Sequence, residues 1–407
     1  MHLLDHPSPL ILNFMRSSFF SCSLTILLTT LACSENDPGS KVAASGGAPG
    51  SGGLGNPGAG GDAQSSGGSQ DNASGGTANG SGGDLSGAGG SSSGGSDPLG
   101  SGGNSGNNSS FNCPSGSETG TPNLANKTLT KIEGVPEIVN NGGFLEGPAW
   151  YDGKLYVSQV DFTGPPPSSV IFTYTPGGSF TPFINDAGTI GLAIDGNGRM
   201  YAASPKSQGV ISYNANDAAA APVDVAKMSA GKPFNSPNDI TVRSDGTVYF
   251  TDPPANCGGS CAQPDVQGVY RVAPDGTINI LSGIQGKPNG IALSPDETTL
   301  YVGGDMLTAY PIMADGSVGA GTTINGVMGT DGLAVDCAGN VYAALYGQSK
   351  IVAVDASGTL LDGSITINEV TNLTFGGPEN KTLFVTSFGD NRGILSTVEM
   401  EIPGLPY

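Results

Sequence analysis

From Glu146 onward the chain consists of short runs in which apolar and polar residues alternate, the two-residue period of a strand with one buried face. Each run breaks at a turn pair such as Asp-Gly or Gly-Asn and then resumes, which predicts strand, tight turn, strand. The same phrase occurs six times: "EGPAWYDGKLYVS" from Glu146, "IGLAIDGNGRMYAA" from Ile190, "NDITVRSDGTVYFT" from Asn238, "NGIALSPDETTLYVG" from Asn289, "DGLAVDCAGNVYAA" from Asp331 and "TNLTFGGPENKTLFVT" from Thr371. An aromatic residue follows each turn, at Tyr156, Tyr201, Tyr249, Tyr301, Tyr342 and Phe384, with spacings of 45, 48, 52, 41 and 42 residues. That is the period of a propeller blade. Further strand-like runs, "VIFTYTP", "VISYN", "GVYRVAPDGTINIL" and "IVAVDASG", fill the intervals. Six units with room for about four short strands each predict an all-β chain, folded over residues 113–407 as a six-bladed β-propeller. No segment keeps a 3.6-residue apolar period, so few helices are expected.

Composition changes the picture for the first part of the 407-residue chain, which holds much of its 67 glycines. Residues 1–33 predict an export signal: Arg16 supplies the positive charge, and Phe19 to Leu31 an apolar stretch too short to span a membrane. The stretch ends in "LTTLAC" and resembles a bacterial lipoprotein signal, with Thr30 where such signals favour Leu and Met15 as an alternative start. The resemblance implies a lipid on Cys33 and an outer-membrane lipoprotein; a plain secretory peptide is the alternative. Residues 34–112, with tracts such as "SGGSQDNASGGTANGSGG", carry too little apolar surface to offset their ordering entropy. They read as a disordered Gly/Ser-rich tether with a typical reach of about 45 Å.

An exported chain also changes the meaning of the cysteines. Cys22 belongs to the signal and Cys33 to the lipid, leaving Cys113, Cys257, Cys261 and Cys337. Cys257 and Cys261, in "CGGSC", predict a local disulfide, and Cys113 is then free to pair with Cys337. The net charge of −20 argues against nucleic acid or anionic lipid as a partner. Membrane contact is expected only through the lipid, and the propeller is expected to act as a monomer on a small molecule.

Candidate chemistry comes from the register of the repeats. The residue just before the Gly, Asp or Asn that opens each first strand is Glu146, Ile190, Asn238, Asn289, Asp331 or Thr371. If these phrases are innermost strands, the six residues ring one axis, and four of them carry oxygen donors. Asn-Gly and Asp-Gly are also common turn pairs, which accounts for Asn289 and Asp331 singly but not for Glu146 and Asn238 in the same register. Two carboxylates and two amides are hard donors suited to Ca²⁺, or to another divalent cation. Zinc or iron would call for His or Cys. The only histidines, His2 and His6, precede the mature chain, which removes Ser-His-Asp triads and histidine bases. Hydrolysis would then need a carboxylate, a metal-activated water, or both.

"FLEGPAW", "SPNDITVRSDGTVYFTDP", "KPNGIALSPDETTLYV" and "TDGLAVDCAGNVYAA" resemble the signatures of the gluconolactonase, senescence-marker-protein and luciferin-regenerating-enzyme family of calcium propellers, from about Ile132 to the C-terminus. The resemblance implies that Glu146, Asn289 and Asp331 bind calcium, and that Asn238 binds calcium or substrate. It also implies lactone hydrolysis with Asp331 as base, or, on phosphoryl substrates, as nucleophile. Where sugar-lactonase members place a substrate-binding Arg, this chain has Ser236, with Lys232 and Lys287 as possible substitutes. Asp252 is expected to cap a turn beside the channel, and Trp150 to pack between strands. A tethered binding propeller that keeps its calcium as a structural plug is the competing class.

Overall fold

The structure, a computed structural model, describes residues 113–137, 143–164, 166–254, 267–284 and 286–405. The signal, the tether and the Cys257–Cys261 pair lie outside the described residues. Six four-stranded antiparallel sheets make up the propeller. The blades begin at the innermost strands Phe144–Tyr151, Leu192–Ile194, Ile240–Val242, Ile291–Leu293, Thr330–Val335 and Val370–Gly376, numbered here blades 1 to 6. Each innermost strand touches the innermost strands of the blades on either side, and blade 6 touches blade 1, so the ring is closed. Among the described residues the only helical element is a 3₁₀ turn at Tyr346–Gln348.

The periodic aromatics explain how the blades stack. Each lies on its blade's second strand and is almost fully buried. Tyr201 packs with Ile240 and Val242 of blade 3, Tyr301 with Leu333 and Val341 of blade 5, and Phe384 with Leu145 of blade 1. Two of the tyrosines also donate their hydroxyls to a turn of the next blade: Tyr156 to the Ala215 carbonyl at 2.8 Å and Tyr249 to that of Gly316 at 3.0 Å. A large flat side chain with one polar tip suits this position, because it buries its ring between two sheets while its hydroxyl finds a carbonyl.

Closure of the circle differs from the simple repeat. The fourth strand of blade 6 is Thr130–Ile132, which precedes blade 1 in sequence and pairs antiparallel with Arg392–Glu399, Thr130 opposite Thr397. The two ends of the propeller thus share one sheet. A disulfide joins Cys113 to Cys337 at a Cα separation of 5.6 Å, fixing the entering segment to the turn of blade 5.

Candidate functional site

The six register positions lie where the innermost strands enter from one face, around a single axis. Glu146, Asp331 and Thr371 lie within their strands, and the ladder to the second strand shifts register at these points: between Glu146 and Ala149, between Thr330 and Leu333, and between Val370 and Asn372. Such bulges re-aim a side chain that regular pleating would point elsewhere. Ile190, Asn238 and Asn289 stand two positions before the first residues of their strands and are tied to the second strands by backbone bonds, Ile190 N–H to Ala203, Asn238 N–H to Thr251 and Asn289 N–H to Gly303. Glu146 and Thr371 are buried, whereas Asn238, Asn289 and Asp331 are partly open to the mouth. The ring is therefore accessible from the side of blades 3 to 5.

The next position in each unit holds what the sequence reading did not single out. It is Gly147, Gly191, Asp239, Gly290, Gly332 and Asn372. The glycines permit the close approach of one blade to the next: a methyl on Gly147 would strike the Ile190 carbonyl, one on Gly290 the Asp331 carbonyl, and one on Gly332 the Asn372 side chain. At the two junctions without glycine the side chain makes the bridge. Asp239 accepts the N–H of Ile291 at 3.2 Å as well as that of Ile240 at 3.0 Å. Asn372 accepts the N–H of Leu373 at 2.8 Å, and its side chain reaches both Glu146 and Asp239. These two side chains form the floor of the ring. Beneath them lies a cavity of about 80 Å³ whose walls include Trp150, Leu192, Ile194 and Phe375.

Three carboxylates from blades 1, 3 and 5 share this centre. Burial pushes Asp331 up to about 8, with the Asp239 charge adding to it and the Asn289 amide opposing it. Burial likewise raises Asp239 to about 7, against the N–H groups of Ile240 and Ile291 and the Asn372 side chain. Glu146 is raised well above the usual carboxylate range, first by burial and then by the charges of Asp331 and Asp239. Among the described residues no three His, Cys, Asp or Glu side chains converge closely enough to hold a metal ion alone. A donor set here would need the amides of Asn238 and Asn289 beside the carboxylates. Concentrated negative charge, oxygen donors and the lack, among the described residues, of an ammonium or guanidinium partner are the chemistry of a hard dication site.

Around the ring, Asp252 is fully buried at the end of the blade 3 second strand. It accepts the N–H groups of Asn235 at 2.9 Å and Ser236 at 2.7 Å, which fixes the turn that delivers Asn238. Ser236 is fully buried, and its Oγ has no hydrogen-bond partner among the described residues. Trp150 stacks on Phe384 with centroids 5.4 Å apart, a packing contact between blades 1 and 6. Lys232 lies in a two-residue strand paired with Met228–Ser229, outside the blades, whereas Lys287 lies two residues before Asn289.

Residues 144–389 match the SMP-30/Gluconolactonase/LRE-like region. A gluconolactonase of Zymomonas mobilis is 27% identical over 291 residues, covering 62% of this chain and 78% of its own. The gluconolactonase XC5397 of Xanthomonas campestris is 26% identical with a TM-score of 0.56, over 68% of this chain and 91% of its own. Regucalcin of Agrobacterium tumefaciens, a calcium-binding protein, shares the fold at a TM-score of 0.52 and 20% identity, over 65% of this chain and 95% of its own.

Proposed function

Because the chain belongs to the SMP-30/gluconolactonase/LRE-like family, whose relatives here include lactone hydrolases, we propose that it is a calcium-dependent lactonase. The observation that carries this reading is that Glu146, Asn238, Asn289 and Asp331 hold one register position in four blades of a closed ring, where burial first and then the Asp331 charge raise Glu146, a centre short of positive charge. In this reading those four residues hold Ca²⁺. When bound, the ion polarises the lactone carbonyl and offsets the charge of the oxyanion.

Asp331 is the base. It is the carboxylate of the ring that is partly open to the mouth, and in its ionised form it takes the proton of the water that attacks the carbonyl carbon. The ring C–O bond then breaks and the departing oxygen recovers that proton, leaving a hydroxy acid. Glu146, buried and reached by the Asn372 side chain, has no access to such a water and serves as a fixed donor. Ser236 is fully buried, with its hydroxyl unpaired among the described residues, so a substrate oxygen reaches it only if the turn before Asn238 moves.

The test is hydrolysis of δ- and γ-lactones followed by pH-stat, with and without chelator, beside Asp331→Asn. Calcium-dependent turnover that falls at least about a thousandfold in the variant, with the fold retained, is expected for loss of a base and ion ligand together. A protein that binds calcium and unfolds on chelation but turns over no lactone would instead be a structural-calcium binding module. Export and lipid attachment through Cys33 belong to the same proposal, and metabolic labelling with a fatty acid, lost in Cys33→Ser, checks them.

A further inference from the structure

Asp331 shares the mouth with a second group from its own blade. The second strand of blade 5, Val341–Leu345, ends with Leu345 opposite Thr330, the residue before Asp331. There the chain turns into its 3₁₀ element, so Tyr346 leaves the sheet at the level of the ring. Its side chain is half-buried, and its phenol donates a hydrogen bond to the carboxylate of Glu369 in the segment entering blade 6. The phenol also feels the ring: burial first, then the charges of Glu369, Asp331 and Glu146, push it up to about 12. It therefore keeps its proton.

The backbone holds this pair from several sides. The Ile367 N–H donates to the Ser349 carbonyl at 3.0 Å, the Phe388 N–H to the Glu369 carbonyl at 3.0 Å, and Gln348 Nε2 to the Met328 carbonyl at 2.9 Å. Two residues other than glycine take the left-handed conformation here, Ser349 at φ 51° and Glu369 at φ 42°. Such a backbone is costly and persists where its surroundings fix it, most often beside a functional site.

A phenol has one hydrogen to give and lone pairs with which to accept. Glu369 takes the hydrogen, so toward the mouth Tyr346 presents an acceptor. Asp331, acting as base, engages one hydrogen of the attacking water and leaves that molecule able to turn about the bond. A second acceptor stops the rotation and aims the lone pair at the carbonyl carbon.

We propose that Tyr346, with Glu369 as its positioning residue, orients the attacking water by accepting the hydrogen that Asp331 does not take. This rests on the lactonase reading. As Asp331 removes the first proton, the water oxygen bonds to the carbonyl carbon; the second hydrogen stays on the new hydroxyl, and none passes to the phenol.

The experiment uses δ-valerolactone, which has no hydroxyl of its own to donate, beside D-glucono-δ-lactone, which has several. Tyr346→Phe should lower kcat about tenfold on both, the scale of one hydrogen bond in the transition state, with KM and calcium affinity unchanged. Glu369→Ala should lower kcat in the same way, Glu369→Gln, which still accepts the phenol hydrogen, should keep most of it, and Tyr346→Phe with Glu369→Ala should be no worse than Tyr346→Phe alone. If Tyr346→Phe fails to fold, the two Glu369 variants carry the test through the same split between kcat and KM. A loss confined to the gluconolactone would make Tyr346 a contact for a substrate hydroxyl and overturn the assignment, as would an unchanged kcat on δ-valerolactone or a fall in calcium affinity. In each of those cases the active wild type leaves the lactonase reading standing. A wild type that hydrolyses neither lactone overturns both.

Discussion

The three carboxylates of the ring and its floor make a definite prediction about stability without a cation. A carboxylate whose folded pKa lies above its unfolded value binds its proton more tightly in the folded state, so folding loses stability as pH rises from the unfolded pKa through the folded one. Asp331 goes from an ordinary value of 3.8 to about 8, and Asp239 from 3.8 to about 7. Between pH 5 and pH 9 the first spans about three units and the second about two, worth about 4 and about 3 kcal/mol taken singly. The two charges oppose each other, so removing one relieves part of the other. Asp331→Asn keeps the shape, eliminates one charge and should therefore stabilise the chelated protein at pH 9, relative to its effect at pH 5, by about 4 kcal/mol or more. In saturating Ca²⁺ the order should reverse, because the variant loses a ligand and with it the stabilisation that binding confers. Urea melts at pH 5 and pH 9, in chelator and in calcium, measure all four values. A wild type whose stability in chelator is flat between pH 5 and 9, or a variant that gains nothing on the wild type from pH 5 to pH 9 in chelator, would refute the charge deficit and the ion site built on it.

Other expectations concern the architecture of the same centre. Gly332→Ala places a methyl into the Asn372 side chain and should cost about 3 kcal/mol in urea melts, because the two blades cannot separate without disturbing the floor of the ring. Asp252→Ala leaves the N–H groups of Asn235 and Ser236 buried without acceptors and should cost about 2–4 kcal/mol; calcium affinity measured by titration should fall with it as Asn238 loses its support. Reduction of the Cys113–Cys337 disulfide, which spans 224 residues, should lower stability by about 3–5 kcal/mol, read as a drop in Tm that Cys337→Ala reproduces.

Much of this fold is legible in the sequence because each repeat writes its own strand, turn and buried aromatic, and the spacing of Tyr156, Tyr201, Tyr249, Tyr301, Tyr342 and Phe384 counts the blades. These are local signals. The closing strand Thr130–Ile132 has no such signal: three residues carry no period, and they are a strand only because Thr130 meets Thr397 across the whole ring. Closure is a property of the circle, so it is invisible to any one repeat. The turn-capping expected of Asp252 is borne out, but which N–H groups it accepts, 16 and 17 residues back, is set only by the fold.

The floor of the ring was within reach of the sequence. The position after each ring residue is glycine in four units, and that recurrence means that neighbouring backbones meet there with no room for a β-carbon. In a circle built on such contacts, a non-glycine at the same position must send its side chain across the gap instead of outward. Asp239 and Asn372 do so, one accepting the N–H of Ile291 in blade 4, the other reaching Glu146 in blade 1. The same geometry that closes the circle therefore places a third carboxylate and an amide directly beneath the proposed ion. The charge of the site is then set by structural positions as well as by the ring, and a change at Asp239 should alter cation affinity even though it lies outside the four proposed ligands.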